Sequence, residues 1–197
     1  MITSKKEYLQ YLELDRKALG LNQPNFKSKL IGLIVPNHIY KFQRLLRKKE
    51  YFLNCKKGVF NKLRLQVIKL RYRRIALKLG FSIPENVFGP GLAIVHYGTI
   101  VVNRNAKIGN NCRIHACTNI GASGGGQKAP VIGDNVYIGP GAKIYGDITI
   151  ANNIAIGANA TVFKDFKEPG MMIAGNPAKE IKRIDISRII KHIPEKS

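Results

Sequence analysis

The chain has no tryptophan, only three cysteines and only twelve acidic residues among 197. Cys55, Cys112 and Cys117 form no CxxC pair and no His/Cys cluster, so neither a zinc site nor a disulfide framework is indicated, and a reducing cytoplasm is the expected setting. Long apolar runs are missing too. Leu30 to Val35 is cut off by Pro36 and Asn37, short of the roughly 18 apolar residues of a membrane span. Lys5, Lys6 and Glu7 have no apolar stretch behind them, so no secretory signal is expected. The protein is expected to be soluble, or peripheral at the inner membrane face.

The shortage of acids is matched by an excess of bases. Thirty-three Lys and Arg give a formal charge of +21, which calls for an anionic partner. Residues 41–80 hold fourteen of these bases and one acid, Glu50. A solvated helix face, a membrane-surface contact and nucleic acid are the possible readings. Aromatic side chains do not alternate with the basic ones as on a stacking platform, so nucleic acid is the weakest reading.

Two rhythms divide the chain. Over residues 1–80 Tyr8, Leu9, Tyr11, Leu12 and Leu14, and later Leu63, Val67, Leu70 and Leu77, recur at helical spacing. Three or four helices are expected, the last from about Asn61 to Leu79 and ended by Gly80. After Gly80 an aliphatic residue recurs every six positions: Val102, Ile108, Ile114, Ile120, then Ile132, Ile138, Ile144, Ile150, Ile156 and Val162. A period of six suits neither a helix nor an ordinary strand. It suits a triangular coil, three rungs to a turn, with the aliphatic residue pointing inward. Four positions after each aliphatic sits a small or branched residue, among them Ala106, Cys112, Thr118, Ala142 and Ala160, for which space near a corner is limited.

The expected fold is therefore mainly β, a left-handed parallel β-helix with an α-helical N-terminal region. Its expected parts are 1–80, the coil over 81–178, and a polar or helical tail over 179–197. The period fails twice. Gly121 to Pro130, with three successive glycines, fills the length between Ile120 and Ile132, so 121–131 should protrude as a loop. Between Ile94 and Val102 two residues are extra, and that bulge carries His96.

Phe88-Gly-Pro-Gly-Leu-Ala-Ile-Val-His-Tyr-Gly-Thr-Ile-Val-Val102, Ile120-Gly-Ala-Ser, Ile138-Gly-Pro-Gly-Ala-Lys-Ile-Tyr-Gly146 and Ala174-Gly-Asn-Pro-Ala178 resemble the hexapeptide-repeat acyltransferases, specifically their serine acetyltransferase branch. The resemblance spans about residues 60–183. It implies acetyl-CoA as donor, no metal, and a homotrimer with sites between neighbouring prisms; the flat faces of a prism also suit three-fold closure. Where the serine enzymes carry His-Pro this chain has Ala129-Pro130. The small serine-acetyltransferase-like proteins of surface-polysaccharide synthesis are accordingly the nearer resemblance, with a sugar hydroxyl as acceptor. Serine O-acetylation and a non-catalytic trimeric scaffold or membrane-binding module are the alternatives.

The resemblance makes His96 the general base, a task suited to neutral imidazole. His115 is a second candidate, with its ring projecting toward the 121–131 loop, whereas His38 and His192 are expected at the surface. Backbone N–H groups of the glycine loop would stabilise the oxyanion. Gly121, Ala122, Ser123, Gly124, Gly141, Ala142 and Ala160 would line the pantetheine arm, and Lys143, Lys164, Lys179 and Lys182 would meet the phosphates. Both Cys112 and Cys117 are expected to be packing residues.

Overall fold

A computed structural model describes residues 1–23 and 36–193. The Leu30 to Val35 stretch lies outside the described residues. Helix α1 spans Lys5–Ala18; the Ser4 hydroxyl accepts from Glu7 N at 3.1 Å, satisfying one of the helix's first donors, while the Glu7 carboxylate accepts from Thr3 N at 2.7 Å and ties down the residue before the cap. Helix α2 covers His38–Cys55, capped by Asn37, and α3 covers Val59–Leu79, ended by Gly80 at φ 77°. None of the described helices is long and apolar enough to cross a membrane.

The helical reading of α3 holds, but its buried face is not the expected one. Ile68, Tyr72, Ile75 and Leu79 pack inward, whereas Leu63, Val67, Leu70 and Leu77 are exposed. Both sets recur at helical spacing. Periodicity alone could not say which one meets the coil.

From Phe81 the chain winds as a left-handed β-helix with three parallel faces. The first face holds Phe81–Ser82, Ile100–Val102, Thr118–Gly121, Lys143–Tyr145 and Thr161–Val162; the second holds Lys107–Ile108, Val131–Ile132 and Thr149–Ile150. The third runs from Ala93–Ile94 through Arg113–Ile114, Tyr137–Ile138 and Ala155–Ile156 to Met171–Ala174. All ten expected aliphatic positions are buried, as are Ala106, Cys112, Thr118, Ala142 and Ala160. Burial pushes the Cys112 thiol up to about 12, as a packing residue requires.

Register locates both breaks. Ile138 pairs with Ile156, eighteen residues on, which is three regular rungs. Ile114 pairs with Ile138, twenty-four residues on, so the glycine loop inserts one rung's length. Ile94 pairs with Ile114, twenty residues on, and the two extra residues fall at His96. The corners are turned by left-handed residues, and Asn111, Asn135 and Asn153 stack there at φ 56°, 55° and 60°, their amides linked at 2.8 and 2.9 Å. Asn tolerates this conformation better than bulkier residues.

The helices dock on the first coil through polar side chains. Buried Arg47 donates to the carbonyls of Phe88 and Gly89, buried Asp15 accepts from Leu92 N, and Gln43 bonds both Leu92 O and Ile94 N. At the other end Lys179–Arg183 pairs antiparallel with Met171–Ala174. The expected tail boundary at 178 is thus corrected, because the chain past it completes the third face. Among the described residues beyond that strand, Ile186–Arg188 forms a helical turn.

Candidate active site

His96 lies on the bulge that the two extra residues create, at the corner between the third and first faces, and it is exposed. His115 occupies the same corner one coil later. The two rings lie 5.7 Å apart between centroids, and Tyr137 from the next coil meets His115 edge-on at 5.1 Å. His115 is half-buried, and its Nε2 is buried with no hydrogen-bond partner among the described residues. The ring lies outside the coil, following inward Ile114, but its expected place near the glycine loop is corrected: it packs between His96 and Tyr137. Burial lowers its pKa, with Arg113 and His96 adding to the effect, so it is neutral near pH 7.

A cavity of about 370 Å³ opens beside His96, lined by Val95, His96 and Tyr97 and by Pro36, Asn37 and Ile39 at the start of α2. The helix N-terminus presents partial positive charge and backbone donors toward anions. Glu85 and Asp134, the nearest acids in sequence, are engaged elsewhere. Glu85 bonds Lys49 at 2.6 Å, and Asp134 accepts from Asn110 N at 2.7 Å.

The glycine loop is exposed from Ser123 to Lys128, and Ala129 and Pro130 return to the interior. It leaves the first face after Gly121, whereas the histidines sit before Thr118 on the opposite edge of that face. Within one chain the strand lies between them. Ala142 and Ala160 point into the core, and Gly141 stands in a left-handed conformation at φ 76°, where a Cβ would also lie 1.9 Å from Asn159 Oδ1 and displace that side chain.

The four lysines do not form one cluster. Lys143 belongs to the first face and Lys164 to the bend that follows its last strand, whereas Lys179 and Lys182 lie on the antiparallel strand of the third. Lys143 Nζ donates to Cys117 O at 2.5 Å, and Lys164 sits 5.4 Å from the Phe166 ring centre. Cys117 is exposed in a left-handed turn at φ 62°, not a packing residue. His38 and His192 are also corrected: both are half-buried, and His192 Nε2 lies 3.2 Å from Asn111 Oδ1. Sequence reasoning missed the stacked Tyr145 and Phe163, 5.8 Å apart, with Phe163 exposed beside Lys164. Both follow core aliphatics directly, which places them on the outside of the coil.

This coil has the left-handed β-helix architecture of stacked six-residue rungs. Residues 129–164 match the family described as Bacterial transferase hexapeptide (six repeats). Among curated proteins the chain is similar to serine acetyltransferase of Mycobacterium tuberculosis, 37% identical over 50% of this chain and 43% of that protein. Among solved structures it is similar to Neisseria gonorrhoeae serine acetyltransferase, TM-score 0.69, 27% identical over 91% of this chain and 68% of that one. The same enzyme in complex with serine superposes with TM-score 0.65 and 26% identity, covering 91% of this chain and 71% of that one. The chain spans about half the length of the curated relatives it matches.

These relatives overturn the expected sugar acceptor. That expectation leaned on Ala129, which is buried at 6% exposure. The residue leads into the Val131–Ile132 strand and packs, so its identity says little about the acceptor.

Proposed function

We propose that the chain is an acetyl-CoA-dependent O-acetyltransferase whose acceptor is the hydroxyl of L-serine. The observation that carries this reading is the His96 bulge opening onto a cavity bounded by the N-terminus of α2. An amino-acid acceptor brings a carboxylate, and a helix N-terminus favours one. With the carboxylate there, the acceptor hydroxyl faces His96, which takes its proton as the oxygen attacks the thioester carbonyl and returns it to the thiolate that leaves as the C–S bond breaks, giving O-acetylserine and the free thiol of CoA. His115 supports the base by packing against it as a neutral ring.

Acetyl-CoA, when bound, supplies an acyl group activated as a thioester. The exposed outside of the first face fits its thin arm and anionic end, because Phe163, stacked on Tyr145, offers apolar surface, and Lys143 on that face and Lys164 just past its last strand offer charge. Backbone at Gly121, Ala122, Ser123 and Gly124, with Gly141, Ala142 and Ala160 beneath, lines that route. Lys179 and Lys182 would reach an anionic end only from another face. Backbone N–H groups of the loop are the oxyanion donors in this reading.

Because loop and histidines lie on opposite edges of one face, the catalytic set is completed by a neighbour in a trimer. Three-fold packing of the prisms brings one chain's loop toward another chain's His96. Sedimentation should give three times the 22.0 kDa chain mass. A thiol-release assay with acetyl-CoA and L-serine tests the activity. Turnover should fall by about 10²–10⁴-fold in His96→Ala. Absence of serine-dependent thiol release, or a fully active His96→Ala, would overturn the reading.

A further inference from the structure

Between α2 and α3 lies a groove of about 580 Å³, apart from the His96 cavity. Two rows of cations line it. Lys41, Arg44 and Lys48 stand at i, i+3 and i+7 on α2, and Arg71, Arg74 and Lys78 repeat that spacing on α3. Each row follows one helix face, so the two face each other across the groove.

Nothing neutralises this charge among the described residues. All six cations are exposed and none takes part in an ion pair. Helix α3 has seven Lys or Arg and no acid, and the one acid of α2, Glu50, is buried against Arg47. Residues 24–35 contain no Asp or Glu either. The floor is apolar, Leu45 and Ile75, and His38 lines the groove with its Nδ1 buried and unpartnered among the described residues.

Beside the groove α3 shows a second unusual surface. Phe60, Leu63, Val67, Leu70 and Leu77 are 82%, 61%, 49%, 58% and 73% exposed. At 3.6 residues per turn this stripe lies opposite the buried Ile68, Tyr72, Ile75 and Leu79, and the three groove cations of α3 run along the side of the stripe that adjoins Phe60 and Val67. A surface helix seldom leaves so long an apolar stripe without a purpose. A second copy of α3 does not suit it, because seven cations would meet seven with no acid between them.

We propose that the α2/α3 face docks on an anionic phospholipid surface, with the stripe of α3 entering the headgroup region and the paired cation rows receiving lipid phosphates. Apolar insertion beside clustered bases is the combination that holds an interfacial helix on such membranes. Membrane binding here does not depend on the acetyl-transfer reading. The N-terminus of α2 borders both cavities, through His38 in the groove and Pro36, Asn37 and Ile39 beside His96, so docking leaves the His96 opening close to the lipid plane.

The test uses the full-length protein with vesicles of phosphatidylcholine alone or with phosphatidylglycerol. It should sediment with the anionic vesicles only, less as salt rises. Arg71→Gln/Arg74→Gln/Lys78→Gln should weaken partition about a hundredfold. Because the chain has no tryptophan, Phe60→Trp gives a single reporter whose emission should shift to the blue on anionic vesicles. Failure of the unmodified protein to sediment with them would overturn the proposal. So would a Phe60→Trp emission that stays unshifted while inorganic phosphate displaces the protein, which would mark a site for soluble phosphate. Leu63→Gln/Leu70→Gln/Leu77→Gln should lose partition and keep its particle mass by light scattering; a drop in mass would make the stripe a subunit contact instead.

Discussion

Arg47 on α2 and Asp15 on α1 form a buried ion pair, Nε to Oδ2 at 2.8 Å, on top of the first coil. Burial opposes the guanidinium charge, but Asp15 and Glu50 outweigh it, so the pKa of Arg47 lies above its ordinary value. A buried pair contributes little net stability, yet removing one partner strands the other. Arg47→Ala should cost about 3–5 kcal/mol in urea denaturation. Arg47→Met/Asp15→Asn should recover part of that loss, as a double-mutant cycle would show.

Glycine is demanded unequally along the coil. A methyl added at Gly124, φ 56°, would meet nothing within 4 Å, whereas one at Gly141, φ 76°, would meet Asn159 Oδ1 at 1.9 Å. Gly124→Ala should cost only the backbone strain of about 1–2 kcal/mol. Gly141→Ala should cost more, because the Asn159 side chain must also swing aside. Thermal midpoints of the two variants provide the comparison.

Core and surface aliphatics should separate just as sharply. Ile144 is fully buried and Leu70 is 58% exposed. Ile144→Ala should lose about 2–5 kcal/mol, and Leu70→Ala should stay within about 0.5 kcal/mol. Equal losses would show that the outer face of α3 is packed in solution.

Stability should fall on acidification through two histidines. Burial holds both His115 and His192 below their ordinary 6.5, so the unfolded chain binds protons that the folded one refuses. The loss begins as pH drops below about that unfolded value and is complete only below the folded pKa values. Denaturation midpoints at neutral and mildly acidic pH measure it. His115→Asn should flatten the dependence, leaving the share from His192.

Much of the coil was legible because a six-residue period ties each inward position to a fixed place in space. Ile108, Ile132 and Ile150 share one face, and the breaks at His96 and at the glycine loop could be located before any contact was known. The helical region was less legible. On α3, Leu63 and Ile68 belong to equally periodic stripes, and only docking against the coil chooses between them. The site divides along the same line. His96 followed from its bulge and from resemblance, whereas the packing of His115 against Tyr137 depends on stacking between coils. The lysines were grouped by sequence position, but the turn over 175–178 returns the chain along the third face and puts Lys179 and Lys182 on a different face from Lys143.

The two ends of the β-helix bear on how such a coil remains a discrete molecule. A stack of parallel rungs ends in backbone donors and acceptors that could template another chain and grow into a fibre. At the N-terminal end, Asp15, Gln43 and Arg47 occupy that backbone with side-chain bonds. At the other end Lys179–Arg183 runs against the parallel direction and carries Lys179, Lys182 and Arg183. Reversed direction and like charge both oppose edge-to-edge growth. The same groups that fix the helices and finish the third face thus limit polymerisation.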